Sequence, residues 1–305
     1  MSDLAPFRQL IAATYTPFYP NGDLHLALVE MQAQRAVAEG VTGIFIAGTT
    51  GEGISLTTDE RLRLTRRWVE VAQGRLRIIA HVASDCSQDA CELARESQSL
   101  GVDAIAAMAP HYFRPNSIEE LLTSMQPIAA AAPATPFFFY DIPALTRVRL
   151  PMCDFLEQGV QRMHNLKGLK YTNPDLYQFQ KCWHQFADRL ELFFGLDEAL
   201  LAALAVGATG AVGSTYNFAA PIYWRMIHAF HQADLVTARH FQLQSVKLVT
   251  VLLRYGMPAA GKAVMSMIGI DCGPVRPPLT PLTPDRLRAL ERELAELGFF
   301  DWIRS

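Results

Sequence analysis

Lys170 is the residue of this chain whose type and position point most directly to chemistry. It is one of only five lysines among 305 residues, and it lies near the end of NLKGLKYTNP, a segment that otherwise has the composition of a buried strand. Burial disfavours the ammonium form, so we expect a lowered pKa and a neutral amine that can form an imine with a substrate carbonyl. The alternatives are a buried ion pair with Glu198, Asp197 or Asp141, or a side chain that extends into solvent.

A phenol accompanies this amine if the segments ending at Tyr140 and Lys170 are neighbouring strands of a parallel barrel. The carboxyl ends of such strands meet at one face, so Tyr140 would stand beside the amine. A phenol can donate and accept protons while a carbon–carbon bond forms or breaks. A single tyrosine is more often a core residue whose hydroxyl meets a backbone carbonyl, and it is the pairing with Lys170 that favours a catalytic role.

Two more polar groups follow apolar segments. The turn GTTGEG presents backbone amides and the hydroxyls of Thr49 and Thr50, which suit a carboxylate or phosphate, although a tight strand-to-helix connection also explains it. No Gly-Lys-Ser/Thr follows the glycines, so the turn is not a P-loop. Asp197 and Glu198 in FGLDE could bind sugar hydroxyls, ligate a metal or occupy the start of a helix, and their spacing alone favours the helix start.

The composition argues against several classes of protein. The net charge is −3 and no block of like charges occurs, so we expect binding neither to nucleic acid nor to a membrane surface. The N-terminal segment lacks a signal-peptide pattern, and no apolar run approaches the roughly 18 residues that span a bilayer. Five scattered cysteines without a CxxC pair indicate reduced thiols and a cytoplasmic protein. The eight histidines form no metal-binding set, and we assign no metal.

Eight short apolar segments must position these groups. Each is followed by a turn signal and then by a segment of helical period. Apolar strands that alternate with helices indicate a parallel sheet covered on both sides, for which a closed (β/α)8 TIM barrel is the natural solution and an open doubly wound sheet the alternative. The predicted strands are residues 9–18, 43–48, 76–83, 104–109, 136–140, 166–171, 190–194 and 211–215.

The alternation stops after the eighth strand. We therefore predict a catalytic barrel over residues 1–220 and a C-terminal helical extension over residues 221–305 that packs on the barrel. The proline-dense residues 273–284 should form an extended surface connection. The predicted helices are residues 25–39, 58–72, 88–100, 117–132, 152–158, 175–186 and 198–206 in the barrel, and 221–232, 235–255, 259–268 and 284–297 in the extension.

Five motifs, taken in their order and spacing, carry a family resemblance. GTTGEG, YDIPALT, GLKYTNPDL, FGLDEALL and GATGAVGSTYN resemble those of the N-acetylneuraminate lyases within the dihydrodipicolinate synthase-like class I aldolases. The likeness runs from about Ile11 to the GPVRPPLTPL segment. It implies reversible cleavage of sialic acid to N-acetylmannosamine and pyruvate through an imine on the enzyme, without a metal or a dissociable cofactor, by a homotetramer.

The resemblance also implies a role for each matching residue. Lys170 is similar to the Schiff-base lysine, Tyr140 to the tyrosine that moves the proton, and Thr49 and Thr50 to the pair that holds the pyruvoyl carboxylate. Tyr112, in APHYFRP, is similar to a second tyrosine of the family's proton relay. The positions that match sugar-contacting residues are Thr172, Gly195, Asp197, Glu198 and Ser214, which reverses the helix-start reading of the acidic pair.

Two departures bear on the substrate. Leu145 stands where dihydrodipicolinate synthases have an arginine that binds a substrate carboxylate, which disfavours synthase activity, although Arg147 lies two residues later. Asp141 stands where relatives often have Asn or His, and it could point away from the site or perturb it. Lys167 should face away from Lys170 on the same strand and be dispensable for imine formation.

The residues are also compatible with other functions. The same superfamily includes 2-keto-3-deoxy sugar acid aldolases and dehydratases, which keep the imine and change the second substrate. A noncatalytic sensor of pyruvate or sialic acid would keep the pocket without turnover. A phosphate-binding barrel isomerase would need a phosphate turn after strands seven and eight, and GSTYN is a poor candidate for one.

Overall fold

Eight parallel strands close into a barrel at the centre of the molecule. The computed structural model describes residues 8–303. Each strand pairs with the next along the chain and the eighth pairs with the first, so the predicted TIM barrel is confirmed. The strands are β1 (Gln9–Ala13), β2 (Gly43–Ile46), β3 (Arg77–His81), β4 (Ala104–Met108), β5 (Phe137–Asp141), β6 (Leu166–Tyr171), β7 (Glu191–Phe194) and β8 (Gly210–Gly213).

The strands are apolar because both faces of the sheet are covered. Every residue of β2, β4, β5 and β8 is buried, with one face in the barrel interior and the other against helices. Several strands end earlier than predicted. β1 stops at Ala13. The Thr14 amide still donates to the Phe45 carbonyl, as in a strand, but the next contact is made by a side chain, since the Thr16 hydroxyl donates to the Gly51 carbonyl. The chain leaves the sheet there to build the carboxyl end of the barrel, here called the mouth.

Eight helices follow the first seven strands. They are α1 (Leu28–Ala38), α2 (Thr58–Ala72), α3 (Ser87–Leu100), α4 (Ile118–Ala131), α5 (Pro143–Thr146), α6 (Met152–Arg162), α7 (Leu176–Phe186) and α8 (Leu200–Ala205). The one-turn α5, which starts with proline, was not predicted. The helix predicted over residues 198–206 is divided into a 3₁₀ turn, Asp197–Ala199, and α8.

Up to residue 303, the last that the structure describes, five helices follow the eighth strand: α9 (Tyr216–His231), α10 (Leu235–Tyr255), α11 (Met257–Met267), α12 (Pro284–Glu296) and α13 (Phe299–Trp302). The helix predicted over residues 221–232 corresponds to the part of α9 that follows a kink. The helix starts at Tyr216 and departs from helical geometry at Ala219, close to Pro221. Proline has no backbone N–H to donate, and its ring clashes with the preceding turn of a helix. The predicted division between residues 220 and 221 lies next to this kink and stays a prediction.

The remaining C-terminal segments agree with the predicted pattern. Residues 271–283 form neither helix nor strand, and α10 packs along α9 and against the turn Asp197–Ala199 at the mouth. Within residues 8–303 no helix is both long and apolar enough to cross a membrane.

A polar network closes the amino end of the barrel. The Arg77 guanidinium lies 2.7 Å from the Glu191 carboxylate and donates to the side-chain oxygen of Gln9 at 2.9 Å. Its central carbon lies 5.5 Å from the ring centroid of Phe138, which stacks on Phe193 at 5.3 Å inside the barrel. This network, opposite the mouth, covers the apolar interior and joins β1, β3 and β7.

Replacing Arg77 by Met should lower the free energy of unfolding by about 1–2 kcal/mol, because charge-assisted hydrogen bonds are lost at a partly exposed site. The amino end of a TIM barrel serves stability, so activity should stay within about twofold of the wild type. Calorimetric Tm values and steady-state rates check both expectations. Arg66→Met, at an exposed position of α2, is the control and should leave Tm unchanged. A loss of activity at unchanged Tm would contradict the assignment.

Candidate active site

Lys170 lies in a pocket of aromatic rings at the mouth. It occupies the penultimate position of β6, in register with Tyr140 of β5, and its side chain is buried. Its amine nitrogen lies 3.8 Å from the ring centroid of Phe45 and 3.9 Å from that of Tyr140. Among the described residues it forms no ion pair, so none of the three carboxylates considered from the sequence neutralises it. The predicted adjacency of amine and phenol is present.

Burial controls the charge of this amine. Desolvation lowers the pKa of Lys170 to about 7, and the negative charge of Asp197 acts in the opposite direction. Ring faces stabilise a cation, but they do not replace the lost hydration of the ammonium group. A substantial fraction of Lys170 is consequently a neutral nucleophile near neutral pH.

Tyr140 links the amine to the loop that follows β2. Its hydroxyl lies 3.4 Å from the Thr49 hydroxyl, and burial raises its pKa to about 12. The phenol is therefore protonated at neutral pH. It can accept a proton only while it passes its own to a neighbour, and the Thr49 hydroxyl is placed to receive it.

His81 is part of this site, although the sequence analysis did not assign it a function. It ends β3, and its ring centroid lies 5.8 Å from that of Tyr140 and 5.9 Å from that of Phe45. Burial, followed by the charge of Arg61, holds its pKa well below the usual value, so the ring is neutral. Its Nδ1 lies 3.0 Å from the Ala47 carbonyl and donates to it, and its Nε2 has no partner among the described residues. Its position at a strand end was the signal that could have identified it.

The loop of residues 47–53, here the Thr49–Thr50 loop, presents unused backbone donors. None of the hydrogen bonds found within residues 8–303 uses the amide of Thr49 or Thr50. The loop turns tightly, because a Cβ on Gly53 would lie 1.7 Å from the Ala47 carbonyl oxygen, and Glu52 adopts a left-handed conformation with φ 54°. Free amides together with two hydroxyls, on the exposed Thr49 and the partly exposed Thr50, can bind an anionic oxygen group.

Asp197 is buried at the opposite side of the mouth in a closed hydrogen-bond network. Its Oδ2 accepts from the amide and the hydroxyl of Thr215, at 2.9 and 2.6 Å. The Thr215 hydroxyl lies 2.6 Å from that of Tyr223, which lies 2.8 Å from the Ser245 hydroxyl, and Ser245 in turn donates to the Asp197 carbonyl. The carboxylate thus binds another element and does not cap its own turn. Burial raises its pKa to about 6.

The other predicted sugar-side residues follow β6, β7 and β8 at the mouth. Thr172, Gly195, Glu198 and Ser214 are each partly exposed. Two glycines here leave no room for a side chain. A Cβ on Gly195 would lie 2.0 Å from the Thr172 hydroxyl oxygen, and one on Gly213 would lie 1.8 Å from Oδ1 of Asp197. The arrangement therefore depends on close contact between backbone and polar side chains.

A cavity of about 620 Å³ opens beside the Thr49–Thr50 loop. Leu145 lines it, together with apolar residues of the C-terminal segments, among them Met257 and Leu279. Arg147 is exposed and is absent from the lining. The guanidinium considered from the sequence is thus not directed at this cavity.

Three other residues named from the sequence lie outside the aromatic pocket. Tyr112 lies on the loop after β4, where its side chain is 75% exposed and packs against Phe113. Lys167 is exposed on β6, as its alternation from Lys170 predicts. Asp141 points away from Tyr140 and accepts a hydrogen bond from Asn173 at 3.0 Å. Within the described residues no group of three or more His, Cys, Asp or Glu side chains could hold a metal ion.

Comparisons with known proteins agree with this geometry. The chain matches the model of the Dihydrodipicolinate synthetase family over residues 6–297. It is 36% identical to N-acetylneuraminate lyase of Rattus norvegicus over 96% of this chain and 93% of that protein. It superposes on Proteus mirabilis N-acetylneuraminate lyase with a TM-score of 0.94, 36% identity and coverage of 97% and 100%. A catalytic lysine mutant of Ruminococcus gnavus sialic acid aldolase gives a TM-score of 0.90, 27% identity and coverage of 96% of each chain.

Asp141 generates a prediction about stability and pH. Burial raises its pKa to about 6, so in the folded chain it binds a proton that the unfolded chain releases at lower pH. The ionised buried form therefore costs stability as pH rises from about 4 to about 6. At pH 8 the unfolding free energy of Asp141→Asn should exceed that of the wild type by about 3 kcal/mol, and at pH 4 the two should be equal. Denaturant titrations at several pH values test this, and a difference that does not vary with pH would contradict it.

Proposed function

The chain belongs to the dihydrodipicolinate synthetase family, and from this membership we propose that it is a class I aldolase. It cleaves N-acetylneuraminate to N-acetylmannosamine and pyruvate in a reversible retro-aldol reaction. The lyases of Rattus norvegicus and Proteus mirabilis, each similar over nearly the whole chain, support this carbon–carbon lyase activity. The observation that carries the proposal is the buried amine of Lys170, whose pKa is lowered to about 7 beside a protonated phenol.

The first chemical steps use Lys170 and the Thr49–Thr50 loop. The substrate carboxylate binds the free amides and hydroxyls of Thr49 and Thr50. The neutral amine of Lys170 adds to the C2 ketone, and loss of water gives a protonated imine on C2. A catalytic lysine in the Ruminococcus gnavus sialic acid aldolase supports this role for Lys170.

Tyr140 moves the proton during bond cleavage. Its phenol oxygen accepts the C4 hydroxyl proton as its own proton passes to the Thr49 hydroxyl, which in turn gives its proton to the substrate carboxylate bound there. The C3–C4 bonding electrons flow into the imine to give an enamine. N-acetylmannosamine then leaves with a new aldehyde at C4. The relay returns a proton to C3, and addition of water releases pyruvate and neutral Lys170. No metal or dissociable cofactor enters these steps.

The sugar part of the substrate lies toward the opposite side of the mouth in this proposal. Its contacts are Thr172, Gly195, Asp197, Glu198 and Ser214. The buried network through Thr215 holds Asp197 in one orientation, as a hydroxyl-binding carboxylate requires. Leu145 at the cavity wall supplies no guanidinium for a second carboxylate, which favours a sugar over the substrate of a dihydrodipicolinate synthase.

We extend the proposal to assembly and location. The protein acts as a homotetramer in the cytoplasm, with sialic acid and pyruvate as its small-molecule partners and with neither nucleic acid nor membrane. The exposed aromatic pair Tyr112 and Phe113 at the mouth supports a subunit contact there. Tyr112 is proposed as a second tyrosine of the proton relay.

Reduction with borohydride in the presence of pyruvate tests the imine directly. The wild type and Lys167→Met should each gain one reduced pyruvate adduct on Lys170, whereas Lys170→Met should gain none. Mass spectrometry of peptides locates the adduct. An adduct in Lys170→Met, or none in the wild type, would refute the assignment. Adduct formation without release of N-acetylmannosamine from sialic acid would instead favour a noncatalytic sensor.

The pH dependence follows from two pKa values. Below about 7 Lys170 becomes protonated, so kcat/KM for sialic acid should fall about tenfold per pH unit. Below about 6 Asp197 also loses its charge, and the fall should steepen. Steady-state rates measured from about pH 5 to about pH 9, a range that spans both pKa values, test this. A profile flat down to pH 5 would count against both roles.

The choice of second substrate has its own measurement. Turnover of sialic acid should greatly exceed that of 2-keto-3-deoxygluconate. Rapid turnover of the latter without cleavage of sialic acid would replace the proposal by a 2-keto-3-deoxy sugar acid aldolase, and both rates are measured on the same preparation.

A further inference from the structure

A buried ion pair joins the Thr49–Thr50 loop to the C-terminal helices. Oε1 of Glu52, in the loop, lies 2.7 Å from Nζ of Lys262 on α11, and the two side chains are 1% and 3% exposed. Lys262 also donates to the Pro274 carbonyl at 2.8 Å and lies 4.1 Å from the ring centroid of Phe18. The pair is thus enclosed by polar and aromatic partners and shielded from solvent.

The second oxygen of Glu52 holds the connection that follows α11. Its Oε2 accepts from the Arg276 amide at 2.7 Å. The Arg276 guanidinium donates to the carbonyls of Gly22 and Ser55 and to the Glu60 carboxylate. Both carboxylate oxygens of one loop residue therefore bind the C-terminal part of the chain.

The backbone of the loop explains why such a contact matters. Glu52 adopts a left-handed conformation with φ 54°, and Ala47, at the start of the loop, has φ 53°. Residues other than glycine adopt this conformation only where surrounding contacts impose it. Glu52 is separated from Thr50 by a single glycine, so a shift of Glu52 moves the amides that bind the substrate carboxylate.

We propose that Glu52 and Lys262 are positioning residues for carboxylate recognition, so that binding of the 2-keto acid group depends on the C-terminal helices. The inference deepens the proposed function and rests on it. Neither residue touches the reacting atoms. Their pairing fixes the Thr49–Thr50 loop, and its loss should weaken interactions with the substrate carboxylate while leaving the amine of Lys170 intact.

The test compares two ketones that differ in the carboxylate. Pyruvate and acetone each react with the Lys170 amine, water is lost, and hydride from sodium borohydride reduces the imine to a stable secondary amine. The measured quantity is the ratio of adduct formation rates, pyruvate over acetone. In Lys262→Met this ratio should fall by on the order of 10- to 100-fold, because a small displacement of a binding group far from the chemistry has effects of this size.

Three variants accompany Lys262→Met. Lys262→Arg keeps the charge and should retain most of the wild-type ratio. Lys247→Met removes an exposed lysine of α10 and is the matched control, with an unchanged ratio. Glu52→Gln/Lys262→Met leaves no unpaired buried charge, so it tests the inference even if the single variant does not fold. Its pyruvate-over-acetone ratio should also fall, and circular dichroism checks that the variant is folded.

The outcomes separate this inference from the proposed function. The positioning role is supported if the pyruvate-over-acetone ratio falls in Lys262→Met and in the double variant but is retained in Lys262→Arg and Lys247→Met. An unchanged ratio in a folded Lys262→Met or double variant overturns it, as does an equal loss of reactivity toward both ketones. Absence of any adduct in the wild type would overturn the imine mechanism itself, and the positioning role with it.

Discussion

The site depends on keeping one amine out of water without giving it a counter-ion. Lys170 lies between the faces of Phe45 and Tyr140. A displacement of its pKa from 10.5 to about 7 corresponds to about 5 kcal/mol against the ammonium form. A desolvated cation–π contact returns about 2 kcal/mol, so desolvation prevails. A carboxylate within contact distance would reverse this balance. Two buried carboxylates considered for that role are instead bound to other residues, Asp197 to Thr215 and Asp141 to Asn173.

The barrel alone does not complete the site. Strand ends supply the amine and the phenol, but the groups on either side of them are held by helices that follow β8. Ser245 of α10 and Tyr223 of α9 close the network around Asp197, and Lys262 of α11 binds Glu52. The C-terminal helices thus reach two separate parts of the mouth through buried polar contacts. Such hydrogen bonds and ion pairs stabilise most where water is excluded, because a buried polar group without a partner is then costly in free energy.

Much of the fold and part of the site could be predicted from the sequence. Eight apolar segments with helical segments between them specify a parallel barrel, and neighbouring strands then bring Tyr140 and Lys170 together. The sequence left the direction of Asp141 open, and the structure shows that it accepts a hydrogen bond from Asn173. Contacts between residues that are far apart in the sequence could not be predicted. Nothing local in the sequence pairs Glu52 with Lys262, or Asp197 with Ser245. The sequence also does not show that His81, at the end of β3, lies near Phe45 of β2.

The crowded glycines beside Thr172 and Asp197 have a consequence for directed evolution of the substrate range. Side chains at positions 195 and 213 would collide with Thr172 and Asp197, so a library there would return mostly inactive proteins. Leu145 and Leu279, which line the cavity and are partly exposed, leave space for larger or polar side chains. Diversity introduced at that wall, beside the Thr49–Thr50 loop, changes the shape and polarity of the cavity without disturbing the close contacts at Gly195 and Gly213.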